Sequence, residues 1–517
     1  MRLPYMNYAG RATQEQIAQF QGLDCRTVIA ENEFLDMKNM TSDYYPAIGT
    51  RKGRGSATKT LAKPNGIFYK NGLMYVDGTA LNYKDQKVGT VTDTEKTFVG
   101  MGAYVLIWPD KVYYNTHTGE FGSMVKSFQQ SGTATFAPLS EGSAFTKISA
   151  AGLSFEKFDS VTISGCTNAD FNKTTVIQEV GTGYIVVTAA ITSSFTQASG
   201  LQITRAVPDM DFVCESDNRL WGCSSKNHEI YASKLGDPFN WNNFEGISTD
   251  SYAVTVGSDG DFTGCIAHLG NVLFFKENTI HKMYGSRPAN FQLNTYTLPG
   301  VQKGCEKSIC TVNETLYYKA RSGVVSYDGS TPTDISETLP GGYTEAAAGQ
   351  YNGKYYVSMK NAKGTYELLV YNPRYRFWHK EDTTQIRMAA YGEGALYYID
   401  GQSQIRTIAG GEEPDLPWML ESGQQMENTM NMKYISKIML HLQMEKDAKV
   451  EIYLKYDADP LWERKATIRS TKKKSYMIPI IPRRCIQFQY RLVGKGNAVL
   501  YGISKFVEKG SELNGGL

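Results

Sequence analysis

The sequence of 517 residues predicts an all-β fold: a β-propeller of about seven blades, with a small inserted β domain and a C-terminal β-sandwich. Two observations carry this. The first is composition: 34 Tyr, 49 Gly and 12% aromatic residues. Tyr favours strands and Gly favours tight turns, so the pair points to many short strands. The second is a hairpin unit that recurs about every 40 residues, the spacing of propeller blades. A single four-stranded sheet cannot bury both faces alone, so such units must stack radially. The competing expectation is an irregular multi-sheet protein whose hairpins only look alike.

Residues 1–60 are expected to form an N-terminal arm. Thr13 and Gln16 stand in capping-box positions for a short helix over Thr13 to Phe20. The stretch from Asp43 to Gly55 is basic and glycine-rich, with no helical or strand period. Residues 1–55 therefore have little means of folding alone and are expected to order against a neighbouring subunit, so that their deletion would leave a folded, largely monomeric protein.

Residues 61–122 read as the first blades. Ile67-Phe68-Tyr69, Asn71-Gly72 and Leu73 to Val76 form one hairpin; Tyr104 to Trp108 and Val112 to Tyr114 form a second. From 123 to 208 the chain turns rich in Ser, Thr and Gly and poor in Tyr, with strands such as Ser160 to Ser164 and Tyr184 to Thr188. That change marks an inserted β domain at a blade loop. The remaining blades occupy 209–411, with the pair Leu220-Trp221 in an inner strand. After Gly410-Gly411-Glu412-Glu413-Pro414 longer strands with polar alternation follow, which reads as a β-sandwich over 412–508. Residues 509–517 carry few apolar groups and are expected to be a flexible tail.

Charge and cysteine usage narrow the function classes. Lys and Arg total 54 against 52 Asp and Glu, a net charge of +2, whereas a dedicated nucleic-acid binder carries a strongly basic face. No run of about 18 apolar residues suits a membrane span, and Met1 to Gly22 has no basic-then-apolar leader pattern. A soluble protein folded in a cytoplasm is expected. The eight cysteines are scattered without a CxxC pair, so structural zinc spacing is absent and reduced core thiols are expected, Cys305 and Cys310 included.

Catalytic patterns are sparse. None of the six histidines (His117, His228, His268, His281, His379, His441) falls in an HExxH pair, and no GxSxG occurs. His228 and His281 stand at or beside expected second turns or third strands, where a structural role is expected. Ser258-Asp259-Gly260-Asp261 starts like a calcium loop but lacks its later carboxylates, so an Asp-Gly turn is the better reading. No enzyme, metal site or cofactor is expected. Arg51, Lys52 and Arg54 are the candidate site residues, in a basic segment without the Lys-Ser/Thr ending of a P-loop. Three readings stand open for them: contacts to nucleic-acid phosphates, a solvated loop, or a contact to another subunit.

One stretch is more specific. Val207 to Cys214 leads into Asn218-Arg219-Leu220-Trp221-Gly222, then Leu235-Gly236-Asp237-Pro238-Phe239-Asn240-Trp241, then Leu273-Phe274-Phe275 and Ile280 to Gly285. This order resembles tail hub, nozzle or "DNA stabilization" proteins of short-tailed bacteriophages. Tyr45-Pro46 followed by Arg51 is similar to that family's opening. The resemblance spans about residues 30–410, is strongest over 207–330, and does not extend to the sandwich. It implies a structural virion protein: a homohexameric ring in the tail that extends the portal channel, retains packaged DNA and lets it pass. Implied partners are portal or adaptor proteins above, tail fibre, spike or needle proteins below, and viral DNA passing without sequence recognition. Assembly would occur in the host bacterial cytoplasm, with no membrane insertion. The rival readings are a receptor- or glycan-binding adhesin and a glycan-degrading enzyme.

Overall fold

The computed structural model describes residues 13–427 and 430–509; residues 1–12 and most of the tail expected at 509–517 lie outside the described residues. Among the described residues there are seven four-stranded antiparallel sheets, six of them simple meanders of consecutive strands. Blade 1 opens with Pro64–Tyr69, blade 2 with Thr97–Met101 and blade 3 with Phe212–Ser216. Blades 4 to 7 open with Gly264–His268, Cys310–Val312, Thr344–Tyr351 and Ile386–Gly392. The first strand of blade 7 packs against the first strand of blade 1, which closes the ring.

The recurrence of the unit has a local cause. The turn between the first two strands places positive φ at Asn71 and Gly72, Asp217 and Asn218, Leu269 and Gly270, Asn313 and Glu314, Asn352 and Gly353, and Glu393 and Gly394. Two consecutive residues with φ > 0 define the turn whose twist matches paired strands. Blade 2 uses Gly102 in the same place.

The seventh blade is not completed by the chain that begins it. Its outer strand is Lys59–Thr60, from before blade 1, which pairs with Gln404–Thr407 in the register Gln404↔Thr60 and Ile405↔Lys59. The seam of the ring is thus held by backbone hydrogen bonds as well as packing.

The inserted domain is an eight-stranded antiparallel sheet between Lys126–Gln129 and Gln202–Arg205, with its own core around Phe136, Ile148, Phe171, Ile185 and Ile203. Its entry and exit strands pair directly, Lys126 opposite Arg205, so the propeller meets two adjacent chain ends. Deleting 126–205 and joining the ends with a short Gly/Ser linker should leave a cooperatively folding propeller. Met124 and Val207 must stay, because both belong to the core between blades 2 and 3. Loss of a cooperative β-type thermal transition would overturn this expectation.

Trp221 lies in the second strand of blade 3 rather than the innermost one, 4% exposed, with its ring 5.0 Å from that of Phe291. It fills the interface of blades 3 and 4. Trp221→Ala should cost about 3–5 kcal/mol, because a large cavity cannot collapse between two rigid sheets. A denaturant midpoint corresponding to less than about 1 kcal/mol would show that the interface repacks.

The sandwich corrects the reading of the N-terminal arm. One sheet runs Met40–Thr41, Ile48–Thr50, Ala498–Lys509, Lys433–Met444, Lys474–Pro479; the other runs Phe34–Lys38, Pro417–Ser422, Phe488–Lys495, Lys449–Tyr456, Glu463–Ile468. The arm supplies strands to both. The expected helix is instead the strand Thr13–Ile17, paired with Ala498–Lys509 from Thr13↔Val507 to Ile17↔Ile503. An open strand edge offers five residues continuous pairing, which outweighs the weak capping signal of so short a helix. Phe20, Phe34, Met37 and Met40 then enter one continuous core with Trp378 of blade 6 and Trp418, Ile435 and Leu440 of the sandwich.

Candidate functional site: the charged seam between propeller and sandwich

The segment carrying Arg51, Lys52 and Arg54 runs from the sandwich into the outer strand of blade 7, beside the chain that leaves that blade. Gly55 N–H donates to Thr407 O at 3.0 Å and Gly411 N–H to Gly53 O at 3.2 Å. This approach needs glycine on both sides: a Cβ on Gly53 would stand 2.4 Å from Gly411 O, and one on Gly411 1.8 Å from Arg54 O.

Both arginines turn inward. Arg54 is 8% exposed; its Nη2 lies 2.6 Å from Glu381 Oε2 and 3.1 Å from Asp382 Oδ2, and its Nη1 donates to Ile408 O at 3.1 Å. Arg51 is 6% exposed, donates from Nε to Asn39 Oδ1 at 2.8 Å, and pairs with Asp382 at 3.2 Å and Glu413 at 3.0 Å. Two guanidinium groups thus meet three carboxylates. Burial opposes the charge of Arg54, but Glu381 and Asp382 outweigh it and raise its pKa. Burial likewise works against the Asp382 carboxylate, yet Arg54 and Arg51 hold it below its ordinary range. Glu381, wholly enclosed and beside Asp382, is pushed up by burial in spite of Arg54.

This corrects the expected role of Arg51 and Arg54. Neither presents a free cation to DNA or to another subunit; they bind the entering chain to the link between blades 6 and 7 and to the leaving chain. Lys52 alone of the three is exposed, on a cleft of about 820 Å³ between this hairpin and the sandwich, lined also by Tyr44, Glu412, Glu445 and Tyr501. The acidic partners were missed by sequence reading. Their signal is the doublet Glu381-Asp382 and Glu413, opposite in sign to the basic segment but more than 300 residues away in the chain.

The propeller axis holds a second cavity, of about 320 Å³, bordered by the first strands or their approaches in all seven blades, with Phe68, Phe98, Phe212, Ile266, Ile309 and Met388 on its wall. That is room for about ten water molecules. Glu95, leading into blade 2, and Lys307, leading into blade 5, join these non-adjacent blades by an ion pair of 2.8 Å at the cavity rim.

The sequence signature of blade 3 serves a joint. Arg219, 2% exposed, donates to Ser233 O, Asp250 O and Ser248 O at 2.5 to 2.8 Å, tying down the long loop after the third strand. Trp241 in that loop is buried against Trp108 and donates to Pro238 O at 3.0 Å. Asn240 Oδ1 accepts from Ser160 N–H of the inserted domain at 2.7 Å. Asp159 of that domain pairs with Arg205 at 2.7 Å. His281, which sequence reading gave a structural role, is wholly buried between the Ser258 and Thr295 hydroxyls at 2.9 Å each. Burial, helped by Lys276, lowers its pKa to about 4, so it is neutral near pH 7.

These features define the chain as a β-propeller protein with an inserted β domain and a sandwich built from both chain ends. No protein-family model matches it, and no curated protein matches it. Among solved structures it is similar to Kluyveromyces lactis Hsv2 (7% identity, 62% of this chain and 98% of that one, TM-score 0.27). It is similar also to the form of that protein with loop 6CD replaced by a Gly-Ser linker (10% identity, 65% and 99%, TM-score 0.26). A third is the exo-β-1,3-galactanase of Phanerochaete chrysosporium (8% identity, 57% and 94%, TM-score 0.23). At such low TM-scores these likenesses carry no argument about site or activity; the blades are defined by strand pairing.

Proposed function

We propose that this protein is a structural, non-enzymatic component of a tailed-phage virion: a subunit of the tail hub or nozzle ring, assembled in the bacterial cytoplasm. The observation that carries the reading is what the resemblance-bearing residues do. Arg219, Asn240 and Trp241 are enclosed in the joint between blade 3, its loop and the inserted domain, and take part in rigidity rather than in an open site. A wall element needs such welded β domains and no reacting groups. On this reading the DNA path lies between copies arranged in a ring, each propeller contributing its outer surface.

Light scattering and negative-stain electron microscopy of the purified chain test this. A closed ring, six-membered by the resemblance, is the expected result. A monomer at all concentrations that instead retains or cleaves a surface glycan would replace this reading by the adhesin or the glycan-degrading one.

A further inference from the structure

Cys214 and Cys265 stand on the innermost strands of blades 3 and 4, which belong to separate sheets. Their Sγ atoms lie 3.0 Å apart. A disulfide bond measures about 2.05 Å, so roughly 1 Å of closure is needed, within reach of small χ1 adjustments. Both side chains pack at the edge of the apolar interface between the two blades, and both residues are only half-buried. Cys265 also borders the axial cavity, which supplies a way in for a small reagent. All eight cysteines are free thiols in this structure.

We propose that Cys214 and Cys265 are a modification site, an oxidisable pair that forms an intramolecular disulfide stapling blade 3 to blade 4. One thiolate of the pair attacks one sulfur of a small organic disulfide, forming a mixed disulfide and releasing one thiolate, which takes up a proton. The other cysteine then loses its proton to solvent, attacks the protein sulfur of the mixed disulfide and expels the second thiolate, which is protonated in turn. One external disulfide is reduced to two thiols as two protein thiols become one disulfide. Burial and the Cys214 thiol beside it hold the Cys265 thiol well above its ordinary pKa. The closed loop takes in most of blade 3, its long loop and the joint to the inserted domain. The cross-link therefore restricts the unfolded chain across the segment that carries the most specific sequence signal. A cytoplasm keeps such a pair reduced. The timing of oxidation after release from the cell rests on the proposed virion location; the chemistry does not.

The test uses the full chain with 2-hydroxyethyl disulfide, followed by alkylation of remaining thiols and peptide mapping without reduction. The expected result is loss of two free thiols, a mass lower by about 2 Da, and one linked pair of peptides carrying Cys214 and Cys265. Cys214→Ser and Cys265→Ser should each abolish it, whereas Cys223→Ser should leave it intact. The thermal midpoint should rise by several degrees on oxidation in the parent and not in Cys214→Ser. Eight titratable thiols after treatment, a stable mixed disulfide on Cys214 alone, or a different pairing would each overturn the proposal. Because the readout is a covalent link within one chain, it stands or fails independently of whether the purified protein forms rings.

Discussion

A chain lacking residues 1–60 should fail to fold, recovered as aggregate or as a species without a cooperative unfolding transition. The truncation removes Phe34–Lys38, Met40–Thr41 and Ile48–Thr50 from the two sandwich sheets and Lys59–Thr60 from the seam of the propeller. It also strips Phe20, Phe34, Met37 and Met40 from the largest core, each at most 2% or so exposed, and leaves the edge of Pro417–Ser422 unpaired. Burying each such side chain contributes about 1.5–3 kcal/mol, so the loss exceeds the usual 5–15 kcal/mol net stability of a domain once strand pairing is included. Circular dichroism melting together with size-exclusion chromatography reads the outcome. A soluble monomer with a sharp β-type melt would mean that the arm is dispensable, as its sequence first suggests.

Arg54→Ala should destabilise the protein by about 3–5 kcal/mol, because it leaves the buried Glu381 carboxylate with only the more distant Arg51, at 3.9 Å. Glu381 loses its contact at 2.6 Å and Asp382 one of its two arginines. The double change Arg54→Met with Glu381→Leu should recover much of the loss, since burying neither charge avoids the desolvation cost. Chemical denaturation of the three proteins checks this; a loss below about 1 kcal/mol in Arg54→Ala would place the cluster in easy reach of water. Acid dependence gives a second readout. Asp382 has a lowered folded pKa, so its stabilisation is complete above its unfolded value, about 3.9, and disappears as pH falls through the folded value. Arg54→Ala should reduce that acid-sensitive share of stability without abolishing it, because Arg51 stays at 3.2 Å.

What the sequence by itself determined was local. Blade after blade repeats a turn with left-handed residues such as Asn352-Gly353 between two apolar runs, and that chemistry reaches only a few residues. The count of about seven units, the change of composition at the inserted domain and the alternating strands of the sandwich follow from the same short-range periods. The structural place of His281 was legible in the same way, since it sits in a strand next to apolar neighbours. Tertiary structure alone decided the fate of the chain ends. Nothing near Thr13 signals that it will pair with Val507, or that Lys59 will lie against Ile405 and finish a blade begun by the other end of the propeller. It also decided that Arg51 and Arg54 face Glu381, Asp382 and Glu413 instead of solvent. An isolated basic segment reads as exposed because the penalty of burying its charge is local, whereas the carboxylates that offset the penalty arrive only when the ring closes.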